Sequence, residues 1–513
     1  MAALSPPDLL LALRGARYGE LQGFLDAVQA RFERRGMGED ELRAAYAPFL
    51  RPDPALEKAF GGWRAAYPDS YPAYAAYATW LFGRAQALRG TLPVTQLSDL
   101  RWRGTLSCVQ QLEGFAAHAV TLRAQAAGAN PLSAWLLLGR ARNLVGCTLS
   151  LEDLLQERYP EWFARPLAQN PASLELRQVM LDHLRPEWGG SDEQMFAFVR
   201  QQEAALGLGD AHRLWADYHA RAAHHALHFL GDQVTGVERA RLAAELYEPH
   251  AEILFVALTR AVGADAERQE ALERFLSVAE HDPELRPSEP FFWALYNSDH
   301  FLAPLLGRVL PLLAGWAVAG QHAAAVALGR LSLLNRHWHL PDPAPLLRRA
   351  REEGSVEAAE TLVALQEEGL GLRAAVTDNR FKRVDILQAA ELGSAEMSWR
   401  VYRDFARYRE QFGLSEADQL RSLLRSADAG HNEARYTLAQ ELRAGHLEVG
   451  EDGVLRSIDA RPLQRSLDYA RYLLERAATE EHAPSMRTLR LARDADWRSE
   501  TARRRRPGAF WGA

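Results

Sequence analysis

Apolar residues recur along most of this chain at steps of three and four, the spacing that gathers them on one face of an α-helix. Tyr67, Tyr71, Tyr74, Tyr77 and Trp80 form one such stripe, which predicts a helix packed against a neighbour. Sustained alternation of β-branched and polar residues is missing, as are Asn-Gly or Asp-Gly pairs between apolar runs, so strand signals are scarce. The periodic stretches are broken at Arg51-Pro52-Asp53-Pro54, Asn130-Pro131, Pro160 to Pro171, Pro186 to Gly190, Asp282 to Pro290 and Pro341 to Pro345. Proline lacks an amide donor and disfavours helix in the residue before it, so each cluster should end a helix. Pro72 fits the aromatic stripe only in the first turn of its helix, which Pro68-Asp69-Ser70 would introduce. The pattern predicts an all-α protein.

A longer period runs through the last third. Gly354, Gly393 and Gly430 each follow one helix-like stretch and precede another, with Glu357, Glu396 and Glu433 three residues on and Leu362, Val401 and Leu438 eight residues on. A weaker copy has Glu481 in the glycine place and Leu489 in the aliphatic one. Glycine just past a helix end takes the left-handed cap without a Cβ clash, and small residues such as Ala390, Ala427 and Ala434 let helix axes approach closely. The expectation is a set of helical-hairpin repeats forming an α-α superhelix, or solenoid. The organisation read from these signals is a helical region over 1–340, repeats over 346–500 and a basic, disordered tail over 501–513. Gly450-Glu451-Asp452-Gly453 reads as a loop inserted in a repeat.

Ala427-Asp428-Ala429-Gly430-His431-Asn432-Glu433-Ala434-Arg435-Tyr436-Thr437-Leu438, followed by Arg443-Ala444-Gly445, resembles the Sel1-type relative of the tetratricopeptide repeat. The resemblance extends to Ala389–Val401 and Tyr469–Leu489, and more faintly to Ala350–Leu362. It implies curved superhelices that hold other proteins together, with a terminal cap in the last copy, where Glu481 and Pro484 replace the usual Gly and Glu. The N-terminal half, through Trp63, Pro68-Asp69-Ser70-Tyr71, Arg89-Gly90 and Leu184-Arg185-Pro186-Glu187-Trp188-Gly189-Gly190-Ser191, resembles an uncharacterised bacterial family of unknown function. That likeness implies a mostly helical region and brings no catalytic residues with it.

Composition narrows the function classes. Hydrophobic residues make up 48% and charged residues 25% of 513, ordinary values for a folded globular chain. A formal net charge of −7 gives no overall field to attract nucleic acid or anionic lipid. Only Lys58 and Lys382 are lysine among 60 basic residues, the bias of a GC-rich bacterial genome. Two cysteines, Cys108 and Cys147, make neither a disulfide framework nor a Cys-rich zinc site. No apolar run approaches the roughly 20 residues needed to span a bilayer, and Leu9 to Leu13 lacks the flanks of a signal peptide. The expected setting is cytoplasmic, with no membrane partner and with nucleic acid an unlikely one. The run Arg503 to Arg506 would be its only contact.

Four candidate sites remain. Trp188-Gly189-Gly190-Ser191 lacks the Gly-Lys-Ser/Thr ending of a phosphate loop. It reads instead as a helix start, with Ser191 as cap and Gln194 as its capping-box partner. His219, His224, His225 and His228 cluster with Trp215, Tyr218 and Phe229. His224 and His228 share a helix face and could hold a transition metal, but no third ligand or His-Glu-x-x-His base is evident. Packing or a partner surface is the alternative. Tyr74, Tyr77 and Trp80 offer a possible interaction surface, since aromatics are enriched at hot spots; core is the default. Cys108 and Cys147 read as buried, inert thiols. These signals point to a non-enzymatic protein-protein interaction or adaptor scaffold with a protein or peptide partner and no cofactor. The alternative is a metal-dependent enzyme or metal-binding protein using the His219–His228 cluster.

Overall fold

The computed structural model describes residues 6–53, 55–89, 99–126, 128–259, 261, 263–282, 285–298, 302–335, 340–368, 379–450, 455–458 and 462–491. The basic tail lies outside them. The fold is all-α; among the described residues the one sheet is an antiparallel pair, Leu447–Val449 with Leu455–Ser457. The chain divides into two compact units, Met1–Ala294 and Leu295–Ala513. The proline cluster Pro341 to Pro345 falls within the second unit, where it follows the helix His322–Leu334 and runs into the first turn of Ala344–Glu352; the two helices pack on each other.

The first unit is built around the helix Tyr71–Arg89, which is buried on nearly every side, as its all-round apolar sequence requires. Its main neighbour is the helix Asp99–Ala124. Pro72 sits in its first turn, where a missing amide costs no helical hydrogen bond. At Gly83 the helix meets the short turn Ala47–Leu50 so closely that any Cβ would overlap the Leu50 carbonyl. The core there is aromatic: Phe49, Phe60, Trp63, Tyr77 and Trp80 stand with ring centroids 5.3–6.3 Å apart. Pro166 lies inside the helix Glu161–Gln169, so the proline cluster from Pro160 to Pro171 does not end every helix it touches.

In the second unit, successive helices pack on the next from Leu306–Val318 through Ala483–Leu491, save that Glu416–Asp428 packs on Ala395–Arg403 past the short helix Phe405–Phe412. The glycine phase marks a turn of one geometry. Gly354, Gly393 and Gly430 have φ of +99°, +106° and +109°, and Glu481 takes the same left-handed region at +61°. In each copy the residue at that place donates its amide to a carbonyl three residues back, and the next residue donates to one five residues back. This is the Schellman hand-over. Gly445, at φ +78°, ends the helix Asn432–Ala444 in the same way. Gly320, at φ +94°, makes the same pair of bonds, and Leu328 eight residues on is buried. This turn lies upstream of the repeats read from the sequence.

The aliphatic places do what their spacing predicts: Leu362, Val401 and Leu438 are buried, and Leu489 is half-buried against the same core as Leu438. Ala390, Ala427 and Ala434 are buried as well. The stretch expected as an inserted loop is flanked by the two short strands, whose Leu447 and Leu455 turn into the core of the last hairpins. Residues 451–454 at its centre lie outside the described residues.

Candidate interaction site

The histidine cluster sits at the C-terminal end of the helix Leu208–His225, where the chain passes through one π turn, Ala226–Leu230, into Gly231 at φ +67°. His224 and His228 do share a face, with ring centroids 4.5 Å apart. Their surroundings are already cationic. Arg185 Nη2 lies 3.0 Å from Glu187 Oε1 and 3.3 Å from His224 Nδ1, and His224 and His225 stand 3.4 and 3.8 Å from the same carboxylate oxygen. Glu187 is buried, which raises its carboxyl, but hydrogen bonds from His224 and Arg185 and the guanidinium charge outweigh burial and hold it at about 2. The cluster thus ties the Pro186–Trp188 turn to the end of the long helix through a charge network. Among the described residues, no group of three or more His, Cys, Asp or Glu is arranged to hold a metal ion.

His219 is set apart from these three. Arg239 Nη1 donates to its Nδ1 at 3.2 Å, and burial together with that guanidinium pushes the imidazole down to about 4, so it is neutral near pH 7. Trp215 and Tyr218 pack against it, and Phe196 packs on those two rings.

Ser191 caps the helix Asp192–Gln202, its hydroxyl accepting from the Gln194 amide at 3.2 Å. Gln194 does not close a capping box: its side chain donates to the Leu149 carbonyl at 2.7 Å and fastens the helix to a distant loop. The glycines before it serve the turn, Gly189 by a φ of +95° and Gly190 because a Cβ would overlap the Leu184 backbone.

The aromatic stripe does not supply the expected surface. Tyr77 and Trp80 are 3% and 0% exposed, because their helix runs through the centre of the unit. Arg64 lies 3.9 Å above the Tyr77 ring, and Trp80 Nε1 donates to the Asp53 carbonyl at 3.1 Å. Only Tyr74 is half-buried, with His118 edge-on at 4.6 Å. Burial raises both thiols, Cys108 and Cys147, so they are protonated and unsuited to nucleophilic work.

The joints between repeats carry polar residues in matching places. Ser355, Ser394 and His431, each just after a phase glycine, cap the following helix by accepting an amide hydrogen bond. Ser394 and His431, and His482 in the last copy, also reach back. Ser394 Oγ donates to Glu360 Oε1 at 2.6 Å, His431 Nε2 donates to Glu396 Oε2 at 3.1 Å, and His482 Nε2 donates to Glu433 Oε1 at 3.2 Å. The glutamates three residues past Gly393 and Gly430 are therefore acceptors for the next unit. The histidines also pack on aromatic rings six residues past those glycines, His431 on Trp399 at 5.2 Å and His482 on Tyr436 at 5.6 Å.

Two features escaped the sequence reading. Asp217 accepts from His250 Nε2 at 2.9 Å and Gln178 Nε2 at 2.7 Å beside Arg221, a buried polar group built from two helices and a turn; only the tertiary fold unites them. Phe229, Leu230 and Val234 form an exposed apolar corner, the last two 67% and 70% exposed. Helical spacing alone would have assigned them to a core. No family model and no curated protein matches the chain.

Proposed function

We propose that this protein is a non-enzymatic scaffold of the cytoplasm, whose stacked helical hairpins form a superhelix of the Sel1 type that presents a concave surface to a protein or peptide partner. The observation that supports this reading is the recurring joint: the same left-handed turn at Gly354, Gly393, Gly430 and Glu481, followed at Ser394, His431 and His482 by a side chain bonded back to a glutamate of the preceding unit. A chain that repeats its inter-unit contacts in this way gains extended surface with each unit rather than one enclosed pocket. Partner and function then lie in the side chains displayed between joints.

The test is affinity capture with the full chain. The expected result is one partner retained by independent preparations of the folded chain. A second arm is metal analysis of protein purified without a His tag. Stoichiometric zinc, iron or manganese that disappears in a His224→Ala, His228→Ala double variant would replace the scaffold with a metal-dependent protein. Capture of no partner, alongside reproducible turnover of a small molecule, would overturn the scaffold reading outright.

A further inference from the structure

We propose that the joint between the helices Ala395–Arg403 and Asn432–Ala444 is an acid-sensitive coupling, with His431 Nδ1 as its sensing atom. His431 is both the cap of one helix and the tie to the other. Its Nδ1 accepts from the Ala434 amide at 3.3 Å, which places the ring proton on Nε2, the atom that donates to Glu396. The neutral imidazole fills both roles only in this tautomer.

A second proton goes to Nδ1 and turns the acceptor into a donor. Two N–H groups then face each other at the start of the helix, and a positive charge sits where the helix dipole disfavours it. The charge is met at Nε2 by the Glu396 carboxylate but not at Nδ1. Glu396 is half-exposed and already receives Arg400 Nε at 2.9 Å. Arg435, on the same helix, donates to Asn432, Glu480 and the Ala427 carbonyl. Asp428, on the helix packed beside it, accepts from Tyr469. Trp399 covers one face of the imidazole. Acidification therefore removes the cap at Ala434 while Nε2 stays tied to Glu396, so the joint loses one of the two bonds that His431 makes.

The other units supply internal comparisons. Ser355 and Ser394 hold the same place with hydroxyls that do not titrate in this range. His482 also holds it, but its Nδ1 faces the Ser485 hydroxyl at 2.9 Å, which can reverse and accept when the ring gains a proton. Only the His431 joint is left with two opposed donors.

Amide hydrogen exchange on the full chain, expressed as protection factors between pH 8 and 5.5, reads the joint directly. Protection at Ala434 is expected to fall about fivefold on acidification, the factor that losing one side-chain cap corresponds to, while Met486, whose amide donates to the His482 carbonyl, stays level. The fall should vanish in His431→Ser, which copies the upstream units, and in His431→Asn, which also keeps an acceptor without titrating. Constant or rising protection at Ala434 in the wild type would overturn the proposal, as would an equal fall in either variant.

Discussion

Glu481 holds, at a φ of +61°, the place that Gly430 holds at +109°. Both residues pass the chain from one helix to the next through the same pair of amide bonds, Glu481 to Ala478 and His482 to Ala477 in the last unit. An L side chain in this region costs about 1–2 kcal/mol, and glycine gives back about 0.5–1 kcal/mol through its looser unfolded chain. Glu481→Gly should therefore stabilise the second unit by about 0.5–1 kcal/mol, and Gly430→Ala should destabilise it by more than about 1 kcal/mol. Urea unfolding followed by tryptophan fluorescence reads both.

Leu438 and Leu489 occupy the same phase but not the same depth, one wholly buried and the other half-buried. Leu438→Ala leaves a cavity among closely packed helices and should cost roughly 2–5 kcal/mol. Leu489→Ala should cost about 1 kcal/mol, since much of its surface is already wet. Equal losses in denaturant titration would show that the last hairpin is packed as tightly as the one before it.

The Glu187 carboxyl, held at about 2 by His224 and Arg185 against burial, is lower in the folded chain than its ordinary 4.5. Its stabilisation is present above pH 4.5 and is lost as pH falls through about 2. The contribution is on the order of 2–3 kcal/mol. Glu187→Gln should remove that part of the acid dependence while weakening the protein near pH 7. Stability measured in urea from pH 6 down to pH 2 checks the slope.

Glu252 has the opposite sign. Burial pushes its carboxyl up to about 7, against hydrogen bonds from the Ser288 amide and hydroxyl. The folded chain then holds a proton that the unfolded chain has released, so stability falls as pH rises from 4.5 towards 7 and levels off above it. Glu252→Gln keeps an acceptor for the Ser288 amide and should stabilise the protein at pH 8 far more than at pH 4.5. A gain independent of pH in urea unfolding would contradict this.

Local chemistry was legible where it is repeated or capped. The glycine phase, the buried Leu362, Val401 and Leu438, the Pro72 turn and the Ser191 cap follow from spacing and backbone preference, because those effects act within a few residues. The Gly320 turn was missed because Gln321 and Ala323 stand in the cap and glutamate places, although the backbone is the same. Depth was harder to read: the Tyr74, Tyr77 and Trp80 stripe has the same period whether it faces a core or a groove. Gln194 shows the limit most sharply. Its sequence position suits a capping box, but Leu149, forty-five residues away, offers its amide a better-placed carbonyl.

The two short strands between the last hairpins change what the chain can tolerate. Leu447 and Leu455 anchor the ends of the excursion in the core, so its length is decoupled from the geometry of the units on either side. Foreign sequence, such as a fluorophore tag or an epitope, can be grafted between these strands while the neighbouring helices keep their registration.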